Sequence, residues 1–209
     1  MEDRVDELRL PLLWHIDIGW LVMLWFFFFL DGNDVMVLNL LCVCKLNTYG
    51  SFDDLFGNAG GGGLIRDEQE QWVAGFTRKI GKTNSFMAES WTLRDGLVLC
   101  NQMKVSKVIV ESDAKAVVDA LNNRGSHNSA ISPLFNDCRQ LASNIPQVVF
   151  RHIYRKANFC ADRLANLGRL QQLDFVLHSS LPVDLASFVL ADCQGVYSKR
   201  LGLAPLFSS

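Results

Sequence analysis

The chain has 209 residues, enough for one domain of ordinary size with tails, since single domains cluster around roughly 100–150 residues. Its 20 Lys and Arg against 22 Asp and Glu leave it near neutral, which excludes attraction of the whole molecule to polyanions; any nucleic-acid contact has to come from a local patch. The six cysteines (Cys42, Cys44, Cys100, Cys138, Cys160 and Cys193) form no C-x-x-C pair and have no His at finger-like spacing, so buried thiols in a reducing, intracellular compartment are expected.

Residues 1–40 differ in texture from the rest. From Ile18 to Leu30 no charge interrupts a run containing Trp20, Trp25 and Phe26 to Phe29. A spanning helix needs about 20 apolar residues, and extending the window back to Leu12 brings in His15 and Asp17, each costly in hydrocarbon. A signal peptide opens on basic residues, whereas Glu2, Asp3, Asp6 and Glu7 outnumber Arg4 and Arg9. Two readings stay open: a leader with no role in the core, or a marginal membrane anchor through residues 12–30.

From Leu41 the pattern is that of an α/β domain. Cys42 to Tyr49 reads as a strand, Ser51 to Asn58 as a turn, Ala59 to Arg66 as a second strand and Gln71 to Lys79 as a third. Such close spacing predicts an antiparallel meander. Gly60 to Gly63 weaken a strand, so they mark a place where another backbone or a ligand comes close. Ser85 to Cys100 reads as a helix with Phe86, Leu93, Leu97 and Cys100 on one face and Thr83-Asn84-Ser85 as capping side chains; Glu89 falls off that stripe. Val105 to Glu111 follows as a strand and Ala114 to Asn122 as a helix, meeting at Asp113. Gly125 to Asn128 reads as a loop, Ile131 to Ser143 as a helix, Val148 to Tyr154 as a strand, and Asn158 to Leu170 as a helix with Asp162 in its first turn. The order βββαβααβα predicts a mixed five-stranded sheet, three antiparallel strands followed by crossover strands, flanked by helices. Residues 171–209 form a tail in which Leu185, Phe188 and Val189 suggest a short amphipathic helix covering the sheet or a partner.

Five phrases stand in order along this domain: Leu46-Asn47-Thr48-Tyr49-Gly50-Ser51-Phe52, Gly62-Gly63-Leu64-Ile65-Arg66-Asp67, Met87-Ala88-Glu89, Val110-Glu111-Ser112-Asp113-Ala114, and Arg155-Lys156-Ala157-Asn158 with Ala161-Asp162. Together, over residues 41–170, they resemble the plant reverse-transcriptase-like, retroelement-derived branch of the ribonuclease H family. The resemblance implies an endonuclease that cuts RNA in RNA–DNA hybrids with two divalent ions, usually Mg²⁺, held by four carboxylates. Two dications roughly 3.5–4 Å apart need several anionic oxygens around them. By resemblance Glu89, Asp113 and Asp162 match three of the four positions. Each also has a local reading: Glu89 as a solvated residue, Asp113 as an N-cap, Asp162 as a partner of the helix dipole.

The fourth position is Tyr49, where the family writes an aspartate shared by both ions. A tyrosine is neutral at pH 7, with an ordinary pKa near ~10, and offers one oxygen at the end of a ring. It cannot bridge two cations as a carboxylate does, so metal binding and hydrolysis are expected to be weakened. Asp53 and Asp54 lie too far along the chain to replace it. Asp and Tyr codons differ by one base, so a decaying gene copy and a selected loss of cleavage both fit. Expected nucleic-acid contacts are Gly50 and Ser51 through their backbone, Arg78, Lys79 and Lys82 before the first helix, and Arg155 and Lys156 before the last. His152, within a strand, is expected to be packed rather than to carry protons.

Overall fold

The computed structural model describes residues 43–122 and 132–193. The apolar run Ile18–Leu30, the loop Gly125–Asn128, and Cys42 lie outside the described residues, as does the polar end from Tyr197. Three strands come first, β1 (Val43–Phe52), β2 (Asn58–Arg66) and β3 (Trp72–Lys82), each antiparallel to the next. Helix α1 (Ser85–Gln102) then crosses to β4 (Lys107–Ser112), which pairs parallel with β1. Helices α2 (Lys115–Asn122) and α3 (Ser132–Ser143) lead to β5 (Gln147–His152), parallel to β4. A 3₁₀ turn, Arg155–Ala157, opens into α4 (Phe159–Leu170). The meander, the crossovers and the order of elements follow the sequence pattern.

The expected sheet of five strands is corrected to six. Phe175–His178 forms β6, antiparallel to the outer edge of β3 with Gly75 opposite His178 and Arg78 opposite Phe175, giving the order β5-β4-β1-β2-β3-β6. Four residues are too few for periodicity to reveal a strand; β6 is fixed instead by the open edge of β3 and by stacking of Phe175 on Phe76, with centroids 5.7 Å apart. The tail then forms α5 (Val183–Cys193), whose Leu185 and Val189 are buried, so the anticipated amphipathic helix covers this domain's own core. Among the described residues no helix is long and apolar enough to cross a membrane.

The sheet separates two apolar layers. On one face Leu46, Ile65, Phe76, Val108 and Val110 pack with Leu93, Leu97 and Cys100 of α1 and with Phe135 and Cys138 of α3. On the other, Tyr49 and Leu64 pack with Cys160, Ala161, Leu164 and Ala165 of α4 and with α5. Helix α1 begins at Asn84, whose side chain accepts from the N–H of Met87 at 2.9 Å, a cap that stabilises a helix end by about 1 kcal/mol. Cys44, Cys100, Cys138 and Cys160 are buried thiols.

The glycine run does what its composition suggested. A Cβ on Gly60 or Gly62 would lie closer than 3.0 Å to the backbone of α4 at Arg169 or Ala165, and one on Gly61 would strike Thr92 of α1. Both helices are therefore seated on β2 at backbone distance. Gly62→Ala is expected to lower stability by about 3 kcal/mol through overpacking, read as a shift in denaturant midpoint. Gly57→Ala, at φ +68 in the β1–β2 turn with nothing within 4 Å, should cost only the left-handed backbone penalty of about 1 kcal/mol. Equal losses in the two variants would refute the close-approach account.

Candidate active site

Four elements converge at the C-terminal end of β1. Tyr49 lies on β1 opposite Gly62, Glu89 in the first turns of α1, Asp113 in the turn after β4, and Asp162 in the first turn of α4. The approach of α1 is set by Gly50: a Cβ there would overlap the backbone of Ala88 and Glu89, so only glycine lets Glu89 come this close to β1. The N–H of Gly50 hydrogen-bonds the Glu89 carboxyl.

Glu89 is 7% exposed, which corrects the reading of it as a solvated residue. Its place off the apolar stripe of α1 turns it toward the end of β1 rather than toward water. Burial first, then the negative charge of Asp113, push its pKa up to about 8; the Gly50 N–H and Arg155 oppose that rise. Its Oε2 is buried without a hydrogen-bond partner. Asp113 does not act as a helix cap in any contact described: the backbone N–H of Ala114 donates to the Ser112 hydroxyl at 3.2 Å, while Asp113 Oδ1 accepts from Asn158 Nδ2 at 3.1 Å. Asp162 Oδ1 accepts from Arg155 Nη2 at 3.3 Å.

Tyr49 is 8% exposed, its ring packed against Leu164 and its neighbours on α4. Burial, with Asp162, Asp113 and Glu89 around it, holds the phenol well above its ordinary pKa, so it is neutral. The Arg155 guanidinium carbon stands 5.2 Å from the ring centre, a cation–π contact. Asp53 does not reach this cluster to serve as a carboxylate: its Oδ2 accepts from Arg169 Nη1 at 2.7 Å and its Oδ1 from the N–H of Leu55 at 3.0 Å.

A buried amide network braces the cluster, and it escaped the sequence reading. Asn158, 2% exposed, donates from Nδ2 to the Thr48 carbonyl at 2.8 Å as well as to Asp113. Asn47 Nδ2 donates to Glu111 Oε2 at 3.1 Å and to Asn158 Oδ1 at 3.4 Å, and Asn47 Oδ1 accepts from Arg66 at 2.8 Å. Both asparagines sit inside the motif phrases, Asn47 two residues before Tyr49 and Asn158 four before Asp162.

The expected nucleic-acid contacts divide. Lys79, Lys82 and Lys156 are exposed, and Lys79 stands across β2 from Ser51 through Gly60. Arg78 instead donates from Nη1 to both Asp95 carboxylate oxygens at 2.9 and 3.0 Å and lies 5.0 Å from the Trp91 ring, so it is engaged with α1. Gly50 and Ser51 are buried, Gly50 against α1 and Ser51 through a 2.8 Å bond to Asn166, so neither presents its backbone as expected. His152 is exposed rather than packed, edge-on to Tyr154 at 6.0 Å, because it ends the outermost strand β5.

A family model described as reverse transcriptase-like matches residues 47–168. The chain belongs to the reverse-transcriptase-like family of ribonuclease H domains. It is 32% identical over 151 residues to an Arabidopsis thaliana protein named for ribonuclease H, covering 72% of this chain and 24% of that one; the chain thus spans about a quarter of that relative's length. The ribonuclease H fold is shared with the N-terminal RNase H domain of a Mycobacterium tuberculosis protein (24% identity, TM-score 0.58, 61% of this chain and 94% of that one). It is shared also with LC11-RNase H1, solved in complex with an RNA/DNA hybrid (25% identity, TM-score 0.55, 60% of this chain and 96% of that one).

Ribonuclease H domains generally use divalent metal ions. The side chains here are poorly matched to such ions: a neutral phenol stands among the three carboxyl groups, and a guanidinium is bonded to Asp162. Among the described residues no group of three or more His, Cys, Asp or Glu is placed to hold a metal.

The raised pKa of Glu89 has a signed consequence. Between its ordinary value of 4.5 and about 8 the folded state keeps a proton that the unfolded state has lost, so the Glu89 contribution falls as pH rises through that window. Measured by urea unfolding in EDTA, Glu89→Gln is expected to gain stability relative to the natural chain from pH 5 to pH 8. A difference that does not change with pH is the contrary result.

Proposed function

We propose that this chain is a ribonuclease-H-type nucleic-acid-binding domain, built on the scaffold of an Mg²⁺-dependent endonuclease for RNA in RNA–DNA hybrids, with its own hydrolysis impaired by Tyr49. One observation carries the reading: Tyr49, buried and neutral, stands among Glu89, Asp113 and Asp162 where the family places a fourth carboxylate. Losing that charge weakens retention of Mg²⁺, and each ~1.4 kcal/mol lost is tenfold in occupancy or rate. Binding depends on different groups. The solved relative LC11-RNase H1 carries an RNA/DNA hybrid, and exposed Lys79, Lys82 and Lys156 supply cations for phosphate contacts of the kind that position a duplex without reading bases. A nuclear or cytoplasmic location accords with its buried thiols. The same residue supports a second reading, a non-catalytic module or degenerate retroelement remnant, in which hydrolysis is lost altogether.

The test is cleavage of an end-labelled RNA–DNA hybrid in Mg²⁺ by the natural chain and by Tyr49→Asp. The variant is expected to cut at least about tenfold faster, with hybrid affinity changed far less. Equal cleavage by the two proteins would overturn the role given to Tyr49. A natural chain with no cleavage above background favours the second reading over the first.

A further inference from the structure

Arg155 is the one guanidinium described in contact with both the Tyr49 ring and the acidic cluster, and its placement answers a charge problem. Three carboxyl groups converge around a buried ring, one of them, Asp162, hydrogen-bonded to Arg155 and another, Asp113, to the neutral amide of Asn158. Convergent carboxyls repel unless a cation lies among them. An aspartate at position 49 would supply another anion to be neutralised; the tyrosine supplies an aromatic face on which a guanidinium settles. The short 3₁₀ turn Arg155–Ala157, tied down by buried Asn158, brings that guanidinium over the ring.

We infer that Arg155, seated on Tyr49, is the built-in counter-cation of this cluster, so that the folded domain neither needs nor gains stability from a divalent ion. Tyr49 and Arg155 act as a pair: the ring orients the cation, and the cation offsets the charge that two metal ions would otherwise offset. Removing the guanidinium leaves Asp162 without its cation, beside the convergent carboxyl of Asp113. Such a site should take up Mg²⁺. The inference rests on the reading of Tyr49 given under Proposed function, but its readout is the stability of the free protein, so it can fail while the cleavage comparison holds.

Thermal unfolding of the full chain in EDTA, in Mg²⁺, and in NaCl of matched ionic strength tests it with the natural protein, Arg155→Ala and Arg155→Lys. The natural chain and Arg155→Lys are expected to have the same Tm in all three. Arg155→Ala should have a lower Tm in EDTA and recover roughly 3–6 °C when Mg²⁺ is about tenfold above its dissociation constant, and not in NaCl. If Arg155 served only to pack against the ring, its loss would lower Tm without creating a response to Mg²⁺. An unresponsive Arg155→Ala, or a natural chain stabilised by Mg²⁺ as much as that variant, overturns the inference. Should Arg155→Ala fold poorly, Mn²⁺ broadening of the Ala161–Arg163 amide signals in the natural chain decides: no broadening is expected at millimolar Mn²⁺, and broadening refutes the pairing.

Discussion

Two helices rest on opposite faces of one glycine-lined strand, and the rest of the domain follows from how closely they do so. The backbone of α4 reaches Gly60 and Gly62 while Thr92 of α1 reaches Gly61, leaving no room for a Cβ at any of the three. Gly50 on β1 and Gly168 on α4 extend the same rule to neighbouring contacts, with α1 and with the carbonyls of Gly61 and Arg78. Close-packed interiors transmit such constraints, since a misfit of one methyl group is felt along the whole contact. Because the helices are held at backbone distance, Glu89 from α1 and Asp162 from α4 arrive at the same end of β1 from opposite layers.

Convergence creates an electrostatic burden that the surrounding polar groups share. Asn158 bridges the Thr48 carbonyl and Asp113, and Asn47 joins Asn158, Glu111 and Arg66. Each buried amide here has partners for what it donates, the condition under which burying polar groups is tolerable. These neutral donors fix geometry without cancelling charge. Charge is cancelled in part by Arg155 at Asp162, and in part by Glu89 holding its proton, which burial favours. Tyr49 belongs to both the apolar layer and the charged end, its ring packed with α4 and α5 and its open face meeting Arg155.

The basic residues show how position and partner decide a role. Arg78 and Lys79 are sequence neighbours on β3, yet alternation along the strand sends them to opposite sides of the sheet. Arg78 meets Asp95 and Trp91 of α1 and becomes part of the joint between sheet and helix; Lys79 remains exposed beyond Gly60. Breaking this partly buried Arg–Asp bond would leave the buried Asp95 carboxylate short of a cation.

Read alone, the amino-acid sequence determined the order of the first five strands and four helices, and the antiparallel start and parallel continuation of the sheet. These rest on hydrophobic period, turn residues and motif spacing, which are local in the chain. It also determined that position 49 carries a neutral ring, a matter of chemistry rather than of packing. Only the tertiary structure decided that Phe175–His178 extends the sheet, that Glu89 is buried, that Gly50 serves α1 rather than a ligand, and that Arg155 lies on Tyr49. Each of these is a contact between residues 25 or more positions apart, formed where an open strand edge, a missing side chain or an aromatic face met its complement. Local pattern carries no record of such meetings.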